Sequence, residues 1–218
     1  MHGLLLIGLG CTPHVPPHAS IELSERTVRF DGRSWSLRAS EAPTGAGPSR
    51  WSDAGEAVTV FDGRMCLSLT EGADGWYGAE VLTPWPRRRP AVVELEPLPF
   101  ALDDVPELVV GVFLYRTDQD ELDAEWSAWG EPGAPAFQFV AAPAAPERRW
   151  RFEEVPERVE LRWRRRGPVF RADGGPALRP EVPLEGRGRW FLHINVWTVG
   201  GAAPSTSGPV QVCVDSVD

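Results

Sequence analysis

The residues best placed to do chemistry lie in the run Asp120-Glu-Leu-Asp-Ala-Glu-Trp126, where four carboxylates fall within six positions. In an extended chain, successive side chains point to opposite faces. Glu121, Asp123 and Glu125 therefore share one face, and Leu122, Ala124 and Trp126 share the other, the core side. Asp120 has core-side parity at the start of the strand and reads as a turn residue. Neighbouring acids in the row stand roughly 6.5–7 Å apart at Cα. Carboxylates this close raise one another's proton affinity, so one ionises while another keeps its proton near neutral pH. Glycoside hydrolysis by double displacement uses that division, an ionised nucleophile beside a protonated general acid. A solvated acidic edge strand would show the same pattern, and spacing alone does not separate the two.

A second ordered stretch is Leu192-His-Ile-Asn-Val-Trp197. Leu192, Ile194 and Val196 form an aliphatic face, leaving His193, Asn195 and Trp197 on the other. These three suit the lining of a polar cleft with an aromatic platform; the alternative is a mixed surface with Trp197 half-buried.

The elements that must hold these residues are strands. Alternation of apolar and polar residues recurs along the chain, and helical periodicity is nearly absent. It predicts strands at 27–30, 35–38, 57–61, 65–70, 91–96, 108–115, 121–126, 136–141, 158–163, 169–172, 190–197 and 210–217. Asp31-Gly32, Asp62-Gly63 and Asp173-Gly174 mark tight turns between them. Arg87-Arg88-Arg89, between Pro86 and Pro90, reads as an exposed loop. Many short strands with turn signals between them imply an all-β, antiparallel β-sandwich or jelly roll.

The whole chain sets further bounds. Its 218 residues suit one domain with a sizeable core. A net charge of -9 argues against nucleic acid and acidic membrane surfaces as partners. Ten Trp against two Tyr suit buried cores and sugar-stacking surfaces alike. Leu4–Leu9 is an apolar run much shorter than the ~20 residues a membrane span needs. With Gly10-Cys11 it resembles a secretory signal ending in a lipobox, although no Lys or Arg precedes it and Gly8 stands where Leu is usual. On that reading residues 1–11 are a signal, Cys11 carries a lipid anchor, residues 12–24 are a tether, and 25–218 form the domain. The protein would then be exported: periplasmic, outer-membrane-anchored or secreted. An ordinary N-terminus is the alternative. Cys66 and Cys213 both fall on the polar faces of their strands. They are either a disulfide pair, if the compartment is oxidising, or two free thiols.

With its flanks, the acid row resembles glycoside hydrolase family 16, the β-glucanase family. Glu121-Leu-Asp-Ala-Glu125 is similar to the family's E-[ILV]-D-x-E strand. Val110-Gly-Val-Phe-Leu-Tyr115 resembles the strand leading into it, and Trp126-Ser-Ala-Trp-Gly130 the segment after it. Asp62-Gly-Arg-Met-Cys-Leu67, Gly78-Ala-Glu80 and Ile194-Asn-Val-Trp197 resemble further family pieces in the same order. The resemblance covers roughly residues 25–218. It implies a concanavalin A-like jelly roll with a substrate cleft on the concave sheet, and an endo-acting retaining β-glucanase for β-1,3 or mixed-linkage glucan. Glu121 would be the nucleophile, Glu125 the acid/base, and Asp123 a partner that sets the nucleophile's pKa. Retaining chemistry places the two carboxyl groups ~5–5.5 Å apart, whereas i and i+4 on a strand lie ~13 Å apart at Cα, so the arms must lean together. Some relatives insert a residue before the second Glu, implying a bulge; here the run is uninterrupted.

Trp129 and Trp197 are candidate stacking platforms. Asn195, His193, Gln138 and Glu80 are candidate partners for sugar hydroxyls. Trp51, Trp76 and Tyr77, in turn-rich stretches, are candidates for the cleft rim. A polysaccharide substrate is the implied partner, with the chain expected to be a monomer that needs no cofactor. Some relatives bind a structural Ca²⁺, for which the sequence shows no ligand cluster. Two departures bear on function: Gln119 stands where the family often has an aromatic, and Pro84–Pro90 replaces its usual strand entry. They leave a non-catalytic, carbohydrate-binding jelly roll as the alternative.

Overall fold

The protein is described by a computed structural model covering residues 21–44, 49–87, 89–117, 119–142, 148–164, 167–181 and 188–218. The proposed signal, Cys11 and most of the tether lie outside these residues. In chain order the strands are β1 (Leu23–Phe30), β2 (Arg33–Arg38), β3 (Arg50–Trp51), β4 (Val58–Phe61), β5 (Arg64–Ser68), β6 (Thr70–Gly72), β7 (Gly75–Trp85) and β8 (Ala91–Leu95). They continue as β9 (Leu108–Thr117), β10 (Asp120–Trp126), β11 (Phe137–Ala141), β12 (Arg149–Phe152), β13 (Arg158–Arg164), β14 (Gly167–Ala172), β15 (Trp190–Thr198) and β16 (Gln211–Val217).

These strands form two sheets. The larger runs β1-β2-β7-β15-β9-β10-β11-β12, with β3 and β6 attached to β7; the smaller runs β14-β13-β8-β16-β5-β4. Strands adjacent in space are often distant in sequence, as β15 between β7 and β9, or β16 between β8 and β5. Apart from the short parallel contact of β3 with β7, the ladders are antiparallel, giving a jelly-roll sandwich.

Strand parity sets the core. Leu122, Ala124 and Trp126 of β10, Val110, Val112 and Leu114 of β9, and Leu192, Ile194 and Val196 of β15 turn inward. They meet Leu67, Val93, Leu161, Val212 and Val214 of the smaller sheet. Trp126 is fully buried, and its indole N–H donates to the Pro156 carbonyl at 2.8 Å, so the ring adds apolar area without an unsatisfied donor. Asp31-Gly32, Asp62-Gly63 and Asp173-Gly174 all have positive φ, the geometry that tight hairpin turns demand.

Some expectations change. Strand β1 starts at Leu23, so the last two residues of the expected tether belong to the domain. Strand β7 is the longest in the fold, and its alternation is hidden because Gly78 to Thr83 are buried on both faces. Trp76 and Tyr77 therefore stand on a strand and not in a turn. Arg87 is partly covered and stacks over Trp163 at 4.1 Å, so the basic run is not simply exposed. Cys66 and Cys213 face each other directly in the β5–β16 ladder and are joined by a disulfide.

Candidate active site

The outer face of the larger sheet, turned away from the core, carries the candidate residues in register. A bulge between β9 and β10, immediately before Glu121, sets their phase. From there the ladder is unbroken to Trp126, with no bulge between Glu121 and Glu125. Three rows cross the sheet. Glu121 lies beside Tyr115, which lies beside Phe191. Asp123 lies beside Phe113, then His193, then Leu82. Glu125 lies beside Gly111, then Asn195, then Glu80. On the other side, Asp123 meets Val140 and then Arg149, and Glu125 meets Gln138 and then Arg151.

Electrostatics distinguish the three acids. Asp123 is buried, and its proton affinity stands well above the ordinary carboxyl range. Burial is the main cause, followed by the negative charges of Glu121 and Glu125 and by the hydrogen bond with Glu121; the Arg149 charge opposes. In that bond the protonated Asp123 carboxyl donates to Glu121. Burial also raises Glu125, against the Gln138 hydrogen bond and the Arg149 charge. The Gln138 amide donates to Glu125 Oε2 at 2.5 Å. The row thus offers carboxyl groups in unlike states, one of them holding a proton well above the ordinary range.

Asp120 is not a free turn residue. It is almost fully buried and forms an ion pair with Arg116, which the bulge brings alongside.

Further along the sheet, two of the candidate sugar partners, Glu80 and His193, belong instead to a buried charged group with Arg38. Glu80 is 1% exposed. It accepts from Arg38 Nη1 at 2.9 Å and lies 2.7 Å from His193 Nδ1. Burial pushes the Glu80 carboxyl up; the Arg38 charge and the His193 hydrogen bond outweigh it and hold the group down to about 2. His193 stacks on Phe113, with ring centroids 4.6 Å apart. A chain of contacts therefore runs from Arg38 through Glu80 and His193 to Phe113, the neighbour of Asp123.

Of the candidate sugar-binding residues, Glu80, Gln138, His193 and Asn195 all lie on the outer face, but each is nearly inaccessible. They form a buried polar floor. Asn195 fits there because Gly111 leaves space: a Cβ at position 111 would come within 2.5 Å of its Oδ1. Trp197 is 6% exposed and packs edge-to-face on Trp129, 6.0 Å away. Trp51, expected at the rim, is buried beside Trp197 and Val109, with the Arg38 guanidinium 4.6 Å from its ring centroid. Of this aromatic group Trp129 is the more accessible, held at a positive φ of 55°.

Parity along β9 would have exposed Phe113 and Tyr115 as outer-face residues. Arg38, Arg149 and Arg151 carried no local signal, because their place depends on which strands become neighbours. A cavity of about 420 Å³ lies elsewhere, on the core side of β10 against Trp126, Leu98, Phe100 and Pro156. None of the three acids lines it, so side-chain chemistry and not concavity locates the site. Among the described residues, no group of three or more His, Cys, Asp or Glu is arranged to hold a metal ion.

No protein-family model and no curated protein sequence matches this chain. Solved structures do. A Bacillus licheniformis β-glucanase is 15% identical with a TM-score of 0.61, the match covering 87% of this chain and 92% of that one. A glycosyl hydrolase family 16 protein from Mycobacterium smegmatis is 16% identical with a TM-score of 0.61, covering 90% and 93%. A Mycobacterium tuberculosis protein described as a pseudo β-1,3-glucanase is 20% identical with a TM-score of 0.63, covering 84% and 89%. At these identities the likeness is one of architecture: the chain has the fold of the glycoside hydrolase family 16 β-glucanases.

Proposed function

We propose that this chain is an endo-acting, retaining glycoside hydrolase that cleaves β-glucan with β-1,3 or mixed β-1,3-1,4 linkages. The observation that carries this reading is the carboxyl row of β10. Asp123 has a raised proton affinity and a hydrogen bond to Glu121, and Glu125 is raised above its ordinary range. Protonated Glu125 gives its proton to the glycosidic oxygen as the Glu121 carboxylate attacks the anomeric carbon. The leaving sugar departs as an alcohol, and a glycosyl ester forms on Glu121. Glu125, now ionised, takes a proton from water, whose oxygen displaces Glu121. The Asp123 bond withdraws charge from Glu121, keeping it ionised and improving it as the leaving group of the second step. The unbroken register requires both Glu arms to lean inward over Asp123. Solved structures of the same fold are named β-glucanase and lichenase, which supports the substrate class.

The test is hydrolysis of laminarin and lichenan by wild type and Glu121→Gln, with the anomer of the first product followed by NMR. Reducing ends formed with retained β configuration, and lost in the variant by a factor of about 10³ or more, support the assignment. Equal activity in the two proteins sinks it.

A second reading, sugar binding without turnover, is favoured by the two sequence departures at the cleft, Gln119 and the segment Pro84–Pro90. One structure of similar fold is itself described as a pseudo-glucanase. Binding that leaves the polymer intact in wild type would select this reading. Export is proposed with either reading: the Cys66–Cys213 bond supports it, because disulfides persist in oxidising compartments, and the lipid anchor at Cys11 is part of the same proposal.

A further inference from the structure

We propose that β12 is an anion-reading edge of the cleft, where Arg149 and Arg151 bind a carboxylate or sulfate carried by the polysaccharide. Among β-glucans of the proposed linkages, chains carrying such an anionic group are then preferred to the neutral polymer. This inference rests on the carbohydrate reading of the same face and narrows its substrate class.

Register places both arginines. Val140 pairs with Arg149, Gln138 with Arg151, and Phe139 with Trp150. Phe139 belongs to the core and Trp150 packs against it, so Arg149 and Arg151 share the outer face with Val140 and Gln138. Both are exposed. Two inter-strand spacings, about 10 Å, separate β12 from the acids of β10. Arginine arms span much of that distance, and the Arg149 charge is felt at both Asp123 and Glu125.

Several other charged groups have ion-pair partners. On the larger sheet Glu80 is held by Arg38, and Asp120 by Arg116. Asp123 holds its proton well above the ordinary range. Arg64 and Arg171 also have carboxylate partners. Among the described residues, neither Arg149 nor Arg151 has one. In a chain of net charge -9, Arg149 and Arg151 flank the acid row at alternate positions of one exposed strand, with no carboxylate in ion-pair contact among the described residues.

That arrangement suits a polymer whose anionic groups sit to one side of the bond being cut. The acid row repels an anion placed directly over it, whereas β12 attracts one displaced toward the sheet edge. The planar fork of each arginine matches the paired oxygens of a carboxylate or sulfate. Among the described residues β12 is the last strand of its sheet. Charged residues also protect edge strands from pairing with other chains. Such protection needs no particular anion, which separates the two explanations experimentally.

The experiment uses the full-length Glu121→Gln protein, so binding is read without turnover. Three forms of one β-1,3-glucan serve as probes: neutral laminarin, laminarin oxidised at C6 to the carboxylate, and sulfated laminarin. Affinities are measured by calorimetry at low and high salt. The expected result is that at least one anionic form binds about tenfold tighter than the neutral one, with the advantage shrinking in salt. Whichever form binds tighter identifies the group. In Arg149→Gln/Arg151→Gln the preference collapses while neutral laminarin binds unchanged. Arg149→Lys/Arg151→Lys keeps the charge and retains part of the preference, providing a second variant if the glutamine pair folds poorly. Equal binding of all three probes, binding of none, or a preference that survives the glutamine pair would overturn the proposal. Because no hydrolysis is required, loss of the catalytic assignment would leave a positive binding result standing.

Discussion

Replacing Glu80 by Gln should flatten the acid limb of the folding stability. Burial alone would push this carboxyl up, yet Arg38 and His193 hold it at about 2, below the 4.5 of a free glutamate. The gap corresponds to about 3 kcal/mol of stability linked to the ionisation of one group. Because the folded value is depressed, that stability is fully present above the unfolded value and is lost as pH falls from about 5 toward about 2. Glu80→Gln cannot ionise, so it keeps the shape and loses the linkage. The assay is urea unfolding of both proteins across this pH range. Wild type should be the more stable at neutral pH, since the variant leaves Arg38 buried beside a neutral amide. The difference should then narrow by about 3 kcal/mol as the buffer is acidified. Asp123 and Glu125 titrate in both proteins and largely cancel in the difference. Parallel stability curves, with an offset that does not change with pH, would refute the claim that this buried carboxylate is charged and paired.

Two further outcomes follow from other contacts. The Gln138 amide stabilises ionised Glu125, so Gln138→Leu should raise the Glu125 proton affinity further. A general acid that must be protonated then stays competent to higher pH, and the alkaline limb of kcat/KM should move upward; a shift downward would contradict the proposed role. Reduction of the Cys66–Cys213 bond, which links positions 147 residues apart, should lower unfolding free energy by about 2–5 kcal/mol in denaturant titrations. In the unfolded, unreduced protein neither of these two thiols should react with a thiol reagent.

The acid row was legible because its information is local. Period two along one strand separates Glu121, Asp123 and Glu125 from Leu122, Ala124 and Trp126, and tertiary structure only had to supply a core on one side. The Asp-Gly turns were legible for the same reason: their backbone requirement is carried by two adjacent residues. Strand β7 was illegible because burial on both faces erases alternation, and Gly and Pro disguise its ends. The Arg38–Glu80–His193 group was illegible for a different reason. Its members come from β2, β7 and β15, and nothing in any one segment reports that those strands become neighbours. Asp120 misled for a third reason, since the bulge that brings Arg116 alongside it is a two-strand property.

The buried polar floor bears directly on what the acid row can do. Glu80, Gln138, His193 and Asn195 are each costly to bury, and an apolar strip of the same shape would stabilise the sheet more readily. Such residues persist where they fix geometry that packing alone leaves loose. Here Gln138 binds Glu125 directly, and Asn195 fills the space left by Gly111, the residue beside Glu125. His193, anchored through Glu80 to Arg38, stacks on Phe113, the residue beside Asp123. Each route ends next to a carboxyl group whose proton affinity is raised. The floor therefore packs beneath the acids, and the accessible residues on this face, Trp129 and the arginines of β12, are the ones proposed to meet sugar. A substitution in the floor should accordingly alter kcat and its pH dependence more than the affinity for polymer, whereas one at Trp129 should do the reverse.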